Sequence, residues 1–370
     1  MPGLLLDHPT PDFDGLVRIL QGDTSPNRVP IVEIAIDHEV LRAIQESLLG
    51  KPSAMPRGVY WPSVPDSQYY QELIDIYYRL GYDFVPLCPL WNNNPPGKII
   101  QVPDTAEASR GLREWVDESG ALIRSWEDFE RYPWDQIHAA PETLEMASNY
   151  LPEGMKVTVS ASLFENVIEA VLGFKGLFFL MRADPQLVEA VFNNCGQLVY
   201  KYYQSAVECD VVGAIFHADD FGFRTSTMIS PGDLRRLLFP WLAKYATLAH
   251  EHGKPFWIHS CGNLYRNSPS VMDDLIDLVK IDGFHSFQDV ILPVGEVKER
   301  YGNRIALMGG ADIDKLATLP EDELRGYLRS ILEACMPGGR FAFGSGNSIA
   351  NYIPLKNFAI LLDEARCFQL

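Results

Sequence analysis

The sequence has few basic residues for its length. Its 370 residues include 31 Lys and Arg against 49 Asp and Glu, which gives a formal net charge of −18. Nucleic acids and anionic membrane surfaces are bound through basic faces, so neither is expected as a partner. Long apolar runs are also missing. The run at 176–181 is among the longest, far short of the ~20 residues needed to cross a bilayer.

Paired cysteines and targeting signals are absent too. The six cysteines are scattered and no C-x-x-C occurs, so neither a disulfide framework nor a zinc ribbon is indicated. The N-terminal stretch MPGLLLDHPTPDFDG has no basic region and only three leucines before an acidic residue. That pattern is not a signal peptide. The sequence therefore predicts a reduced, cytoplasmic protein.

Short apolar runs alternate with helical patterns along the chain. The helices are predicted at 66–81, 230–253 and 319–335, the first ending in glycine and the second beginning with Ser-Pro. Eight runs rich in Val, Ile and Phe and bounded by Gly, Pro, Asp or Asn are predicted as strands: 29–37, 82–88, 155–162, 211–219, 255–261, 281–287, 304–312 and 340–347. Such alternation predicts a (β/α)8 TIM barrel formed by a single domain, 1–370. The doubly wound alternative lacks a G-x-G-x-x-G after the first strand.

Residues 89–154 do not fit this alternation. They contain the stretch NNNPP and the tryptophans Trp115, Trp126 and Trp134. The segment lacks the repetition and polarity of a disordered linker. We therefore expect an ordered insert after the second strand that covers the barrel as a lid.

The run 255–261 ends in two side chains that bind metals. His259 and Cys261 are two residues apart, so on a strand they point to one face, about 6–7 Å apart. Imidazole and thiolate both bind zinc at about 2.0–2.3 Å. The pair is predicted to bind zinc. The alternative is a polar strand end at which the histidine and the cysteine are close by chance. Four sources of a third ligand stay open: Glu33, His217, His285 and the turn at 344–347.

Catalytic side chains of (β/α)8 barrels lie at the C-terminal ends of the strands, and here those ends are polar. Loops that follow strands are polar in any case, but the number of reactive side chains favours a functional rim. The polar residues at these ends are Asp37, His38, Cys88, Ser162, Glu165, His217, Asp219, Asp220, His259, Cys261, His285, Asp312, Ser345 and Asn347.

The strand at 211–219 supplies the predicted catalytic residues. Alternation places His217 and Asp219 on one face and Phe216 on the other. The polar face is expected to look into the barrel, because the outer face packs against helices. Asp219 is then expected to act as an acid–base group or to orient a histidine. His217 would line the substrate pocket, with a satisfied core histidine as its alternative. Asp220 is a further catalytic candidate, with turn capping as its alternative.

Four segments resemble motifs of the uroporphyrinogen decarboxylase superfamily, most closely those of its corrinoid-dependent methyltransferase branch. They are Ala218-Asp-Asp-Phe-Gly222, His259-Ser-Cys-Gly-Asn263, Met308-Gly-Gly-Ala-Asp312 and Phe343-Gly-Ser-Gly-Asn-Ser-Ile349. The resemblance covers roughly residues 155–370 and is loose in the N-terminal third. It implies a (β/α)8 barrel. For the methyltransferases it also implies a zinc held by His-x-Cys and a later cysteine, and a methyl group that passes to or from the cobalt of a corrinoid protein.

The sequence departs from that family pattern in two places. The decarboxylases carry an N-terminal arginine pair that grips the propionates of the tetrapyrrole, whereas residues 30–37 contain no arginine. A substrate with many carboxylates is therefore disfavoured for this acidic protein. The later cysteine would fall in the turn Ser345-Gly346-Asn347. Asn347 is nearest to its place, and neither serine nor asparagine is a good zinc ligand.

The expected function is methyl transfer from a small methoxylated or methylamino substrate to the cob(I)alamin of a corrinoid protein, with zinc on His259 and Cys261. A metal-free decarboxylase that uses Asp219 is the runner-up, and a non-catalytic small-molecule-binding barrel is a further alternative. The sequence is compatible with a homodimer. The residues expected to contact the substrate are Glu33, His285, Ser345 and Asn347.

Overall fold

The structure is a computed structural model that describes residues 4–56, 66–95, 97, 99–106, 109, 111–117, 121–140, 142–266 and 269–369. Its strands are β1 (Phe84–Leu87), β2 (Trp91–Asn92), β3 (Ile99–Pro103), β4 (Leu112–Val116), β5 (His138–Ala139), β6 (Lys156–Val159), β7 (Val212–Ala218), β8 (Phe256–His259), β9 (Gly283–His285), β10 (Ala306–Ala311) and β11 (Phe341–Ser345). Seven of them form one parallel sheet in the order β1-β6-β7-β8-β9-β10-β11. This α/β architecture confirms seven of the eight predicted barrel strands.

Helices connect the strands of this sheet. Three of them continue into π-helical turns at Val167–Val171, Leu234–Leu238 and Leu275–Val279. The α-helices are α1 (Phe13–Gln21), α2 (His38–Ser47), α3 (Ser67–Leu80), α4 (Trp126–Arg131), α5 (Glu142–Ser148), α6 (Phe164–Asn166), α7 (Phe174–Ala183), α8 (Pro185–Val207), α9 (Pro231–Asp233), α10 (Phe239–Glu251), α11 (Val271–Asp274), α12 (Val294–Tyr301), α13 (Ile313–Thr318), α14 (Glu321–Cys335) and α15 (Leu355–Cys367).

The predicted helix ends are confirmed where the sequence signals are strong. Gly81 follows α3 in the left-handed conformation with φ of +85°, which glycine adopts without steric cost. The side chain of Ser230 accepts a hydrogen bond from the backbone N–H of Asp233 and so begins α9. Among the described residues, no helix combines the length and the apolar character needed to cross a membrane.

The predicted first strand, 29–37, does not form a regular strand. It forms two isolated parallel bridges, Ile31 with Phe343 of β11 and Ile36 with Ile349, which follows β11. Around the first bridge, the N–H of Phe343 donates to the carbonyl of Pro30 at 2.8 Å. The segment therefore lies along the β11 edge of the sheet, at the position predicted for an eighth strand.

A separate apolar cluster fills the concave face of the sheet. It joins residues of β1, β7, β8, β10 and β11 with Phe13, Leu16 and Leu20 of α1. The ring centroids of Phe13 and Trp257 lie 6.0 Å apart, and those of Phe84 and Trp257 also lie 6.0 Å apart. Helix α1 thus packs against the concave face, and the interior is a packed core rather than a pore, as in (β/α)8 barrels.

The segment 89–154 is ordered over its described residues. It contains two antiparallel pairs, β2 with β5 and β3 with β4, together with α4 and α5. The β3–β4 hairpin contacts the loop after β11, because Asn351 donates to the carboxylate of Asp104 at 2.8 Å and accepts from Arg113 at 3.3 Å. Trp126 and Trp134 pack against Phe129, whereas the side chain of Trp115 lies outside what the structure describes.

Candidate metal and catalytic site

Three side chains with metal-binding atoms meet at the C-terminal ends of β7 and β8. Asp220, His259 and Cys261 each offer one ligand atom, and these atoms lie within 4.8 Å of one another. Nε2 of His259 is 3.7 Å from Sγ of Cys261 and 3.6 Å from Oδ1 of Asp220. Ligand atoms on a tetrahedral zinc at about 2.0–2.3 Å stand about 3.3–3.8 Å apart. The nitrogen, oxygen and sulfur donors therefore fit zinc in kind and in spacing.

This geometry brings the two predicted metal ligands together and adds a third candidate, Asp220. The sequence predicts four other sources of the third ligand, and it predicts Asp220 as a catalytic residue or a turn cap. Three protein ligands with a fourth position open to substrate is the pattern of catalytic zinc sites. The same carboxylate accepts a hydrogen bond from the backbone N–H of Cys261 at 2.6 Å.

Two glycines allow the loops after β7 and β8 to touch. Gly262 has φ of +104°, and a Cβ built there would lie 2.3 Å from the carbonyl carbon of Gly222. Any larger residue at 262 would push the loops apart. The loops are also joined by a hydrogen bond of 3.0 Å from the N–H of Phe221 to Oγ of Ser260. This crossing holds Asp220 beside Cys261.

Burial sets the protonation of the two ligands on β8 and its loop. It lowers the pKa of His259, against an opposing effect of the Asp220 charge. It raises the pKa of the Cys261 thiol, and the Asp220 charge raises it further. The imidazole is therefore neutral, which is its ligand form, and the thiol proton would be released to solvent when a cation binds.

A second layer of polar contacts orients the sulfur and the imidazole. Sγ of Cys261 accepts hydrogen bonds from Nδ2 of Asn347 at 3.1 Å and from Oγ of Ser286 at 3.3 Å. Ser286 has φ of +104°, a conformation that costs energy for a residue with a Cβ. Nδ1 of His285 lies 2.7 Å from Nδ1 of His259. Asn347 and His285, both predicted to contact substrate, thus contact the metal-binding side chains.

The predicted orientation of β7 is wrong. Phe216 belongs to the cluster on the concave face, whereas His217 points to the surrounding helices. Nδ1 of His217 is 2.9 Å from the hydroxyl of Tyr203 on α8, and its ring packs on Tyr245 of α10. Both faces of this parallel strand are buried, so polarity does not mark the inner one. His217 has the surroundings of the satisfied core histidine that was its alternative, and its catalytic role stays a prediction.

Asp219 lies on the same outward face as His217. Its carboxylate accepts hydrogen bonds from the backbone N–H groups of Leu163, Phe164 and Glu165 at 3.1, 2.8 and 2.8 Å. Nε2 of His217 lies 3.3 Å away. The side chain is fully buried and occupies the N-terminus of α6, where a negative charge is stabilised. The catalytic role of Asp219 also stays a prediction.

Glu33 and Ser345 form a hydrogen-bonded pair. The N–H and hydroxyl of Ser345 donate to the two carboxylate oxygens of Glu33 at 2.8 and 2.5 Å. Both residues are fully buried, and burial raises the pKa of Glu33 to about 8. Of the four residues expected to contact substrate, Asn347 alone keeps partial exposure, while Glu33, His285 and Ser345 are buried.

Comparison with known proteins shows a family and a similar fold. The family model for uroporphyrinogen decarboxylase (URO-D) matches residues 123–368. A methyltransferase from Methanosarcina mazei superimposes with a TM-score of 0.66 at 18% identity, over 96% of this chain and 98% of that chain. At this identity the likeness shows the fold alone.

A second solved structure is less similar. A D-psicose 3-epimerase from Clostridium cellulolyticum H10 aligns with a TM-score of 0.40 at 13% identity, over 80% of this chain and 90% of that chain. That alignment is too loose to bear on function. No curated protein matches the sequence.

Proposed function

Since the chain belongs to the uroporphyrinogen decarboxylase family, we propose that it is a zinc-dependent methyltransferase. It would take a methyl group from a small methoxylated or methylamino compound and pass it to the cob(I)alamin of a corrinoid protein. The observation that carries the proposal is the convergence of Asp220, His259 and Cys261 within 4.8 Å at the mouth of the sheet. Bound zinc would polarise the substrate heteroatom that carries the methyl group.

The chain's own residues would shape that site. Asp220 would take the place that a later cysteine has in the resembling methyltransferases, which keeps two anionic ligands and one neutral imidazole around the cation. Asn347 and Ser286 would hold the Cys261 sulfur through their hydrogen bonds of 3.1 and 3.3 Å. A carboxylate oxygen donates less electron density to zinc than a second thiolate would, so the ion would stay a stronger Lewis acid.

Decarboxylation of a tetrapyrrole has weaker support. Residues 30–37 supply no arginine to bind propionates, and Glu33 of that segment is buried against Ser345. Purified protein incubated with a porphyrinogen should show weak binding and no turnover.

We further propose that 29–37 closes the sheet into an eight-stranded barrel and that 89–154 covers its mouth. The parallel bridges of Ile31 to Phe343 of β11 and of Ile36 to Ile349, after β11, support closure on one side. On the other side, a Cβ at Gly81, just before β1, would lie 4.0 Å from Cδ1 of Ile31. The contacts of Asn351 with Asp104 and Arg113 place the hairpin next to the loop after β11, which supports a covering role.

The direct test is anaerobic methyl transfer to free cob(I)alamin. Zinc-loaded protein is incubated with a panel of methoxylated aromatics and methylamines, and methylcobalamin formation is followed by absorbance. Turnover by the wild type and none by Cys261→Ala is the expected result. Release of carbon dioxide by a metal-free protein would instead establish the decarboxylase, and saturable ligand binding without turnover would establish the binding barrel.

A further inference from the structure

Glu165 stands at the mouth of the sheet, on the strand end next to the metal-binding side chains. It lies in the first turn of α6, directly after β6, and its side chain is partly exposed. Strands β6, β7 and β8 are neighbours in the sheet, so their loops carry Glu165, Asp220 and Cys261 side by side.

The hydrogen bonds of Ser162 identify which atom carries the proton. Oγ of Ser162 is 2.6 Å from the carbonyl oxygen of Ala218 and 2.8 Å from Oε2 of Glu165. A serine hydroxyl has one proton, and a backbone carbonyl only accepts. The shorter contact takes the serine proton, so the contact with Glu165 needs a proton from the carboxyl group. Glu165 is therefore a neutral acid that donates to Ser162.

The surrounding charges favour the same protonation state. Burial raises the pKa of Glu165 well above its usual value, and the negative charges of Asp219, Asp220 and Glu169 raise it further. Asp219 and Asp220 face it from the end of β7, and Glu169 faces it from its own helix. Two of these acids accept hydrogen bonds from backbone N–H groups, three at Asp219 and that of Cys261 at Asp220. Of these acids, Glu165 is therefore the one that can donate a proton.

We propose that Glu165 is the proton donor to the leaving group in methyl transfer, and that the preferred substrates are methyl ethers. This inference rests on the proposed function. The bond between methyl carbon and oxygen breaks, and the electron pair of reduced cobalt forms the new bond to carbon. The ether oxygen keeps the old bonding pair and takes the proton of Glu165, which is then restored from solvent. A quaternary ammonium donor leaves as a neutral amine and needs no proton, so it gains nothing from this residue.

The test compares Glu165→Gln with wild type on aryl methyl ethers whose phenols differ in acidity, with cob(I)alamin as acceptor. Glutamine keeps the shape and can still donate to Ser162, but it has no proton to transfer. We expect kcat/KM to fall by about 10²–10⁴ on ethers of weakly acidic phenols, the range for loss of a general acid. Ethers of strongly acidic phenols should lose far less. Glu323→Gln, at an exposed acid in the first turn of α14, is the matched control and should behave as wild type.

A second readout needs no turnover. The infrared difference between metal-free wild type and Glu165→Gln at neutral pH should show the carbonyl stretch of a protonated carboxyl group, which isolates Glu165 from the buried Glu33. Absence of that band would overturn the proposal, as would an equal loss of rate on every ether. A wild type that transfers no methyl from any donor would overturn the proposed function and the donor role together. A wild type active on methylamines but not on ethers would overturn only the inference about Glu165.

Discussion

Nδ1 of His259 lies 2.7 Å from Nδ1 of His285, and both rings are buried. Burial lowers the pKa of both imidazoles, and for His285 the neighbouring His259 lowers it further. Two neutral rings in this contact share one proton, which one Nδ1 donates to the other. Metal binding through Nε2 of His259 requires that Nδ1 of His259 be the donor, so His285 fixes the tautomer and the ring orientation.

His285→Leu should therefore weaken zinc binding without removing a ligand. The expected loss is about 10–100-fold in affinity, the usual effect of removing a hydrogen bond to a ligand imidazole. His285→Asn, whose Oδ1 can accept the same hydrogen bond, should retain affinity close to that of wild type. Competition with a chelating dye measures both. Equal zinc affinity in the Leu variant and wild type would refute the orienting role.

Asp220→Asn tests the third ligand. An amide oxygen is a poor zinc ligand compared with a carboxylate, and one negative charge is lost from the site. We expect zinc content after dialysis to fall well below one per chain while the free energy of unfolding of the metal-free protein changes little. The neighbouring substitution Asp219→Asn is the matched control and should keep its zinc. Full zinc retention in Asp220→Asn would remove Asp220 from the ligand set.

Asp219→Asn should instead destabilise the fold. One carboxylate oxygen becomes an NH2 group that faces backbone N–H donors, and a helix N-terminus loses its charge partner. The expected cost is about 1–3 kcal/mol in the free energy of unfolding, the range for an unsatisfied buried hydrogen-bonding group. Urea denaturation of the metal-free protein measures it. The sequence alone predicts a different outcome, a drop in kcat/KM of about 10²–10⁴ with little change in stability. An unchanged unfolding midpoint would favour that outcome.

Glu33 should make stability depend on pH. Its pKa is raised from 4.5 to about 8 in the folded chain, so the folded state holds a proton that the unfolded state has lost. The stabilising contribution is full below the unfolded pKa and disappears as pH rises through the folded pKa. Between about pH 5 and 8 the wild type should lose about 1.4 kcal/mol per pH unit relative to Glu33→Gln. If the free energies of unfolding of the two proteins changed with pH in the same way, Glu33 would be ionised in the folded state.

The strands were predictable because parallel strands are apolar runs bounded by turn residues, and seven of the eight runs lie in the sheet. The run 29–37 has the same composition, but it pairs only at Ile31, with β11, and at Ile36, with the segment that follows β11. Amino-acid composition does not show where the hydrogen-bond ladder between two strands is interrupted. The inward face of β7 was mispredicted for a related reason. Phe216 meets Trp257 on the concave face while His217 meets Tyr203 outside, and both environments are buried.

Two of the three candidate metal ligands were predictable from the sequence. His259 and Cys261 follow from their spacing on β8, which is a local property. The placement of Asp220 depends on two loops crossing at Gly222 and Gly262, where a single Cβ would leave 2.3 Å to the facing carbonyl carbon. The sequence does contain a signal for this crossing, because Gly222 lies two residues after Asp220 and Gly262 lies one residue after Cys261. Glycine at such positions indicates close approach of backbones, and their pairing could have pointed to Asp220.

Zinc K-edge X-ray absorption on the purified, zinc-loaded protein tests the central claim most directly. The account predicts one zinc per chain, with one sulfur at about 2.3 Å and the remaining nitrogen and oxygen ligands at about 2.0–2.2 Å. Cys261→Ala should lose the sulfur shell and most of the metal. A wild-type protein that binds no zinc, or whose zinc has two or more sulfur ligands, would contradict the site of Asp220, His259 and Cys261.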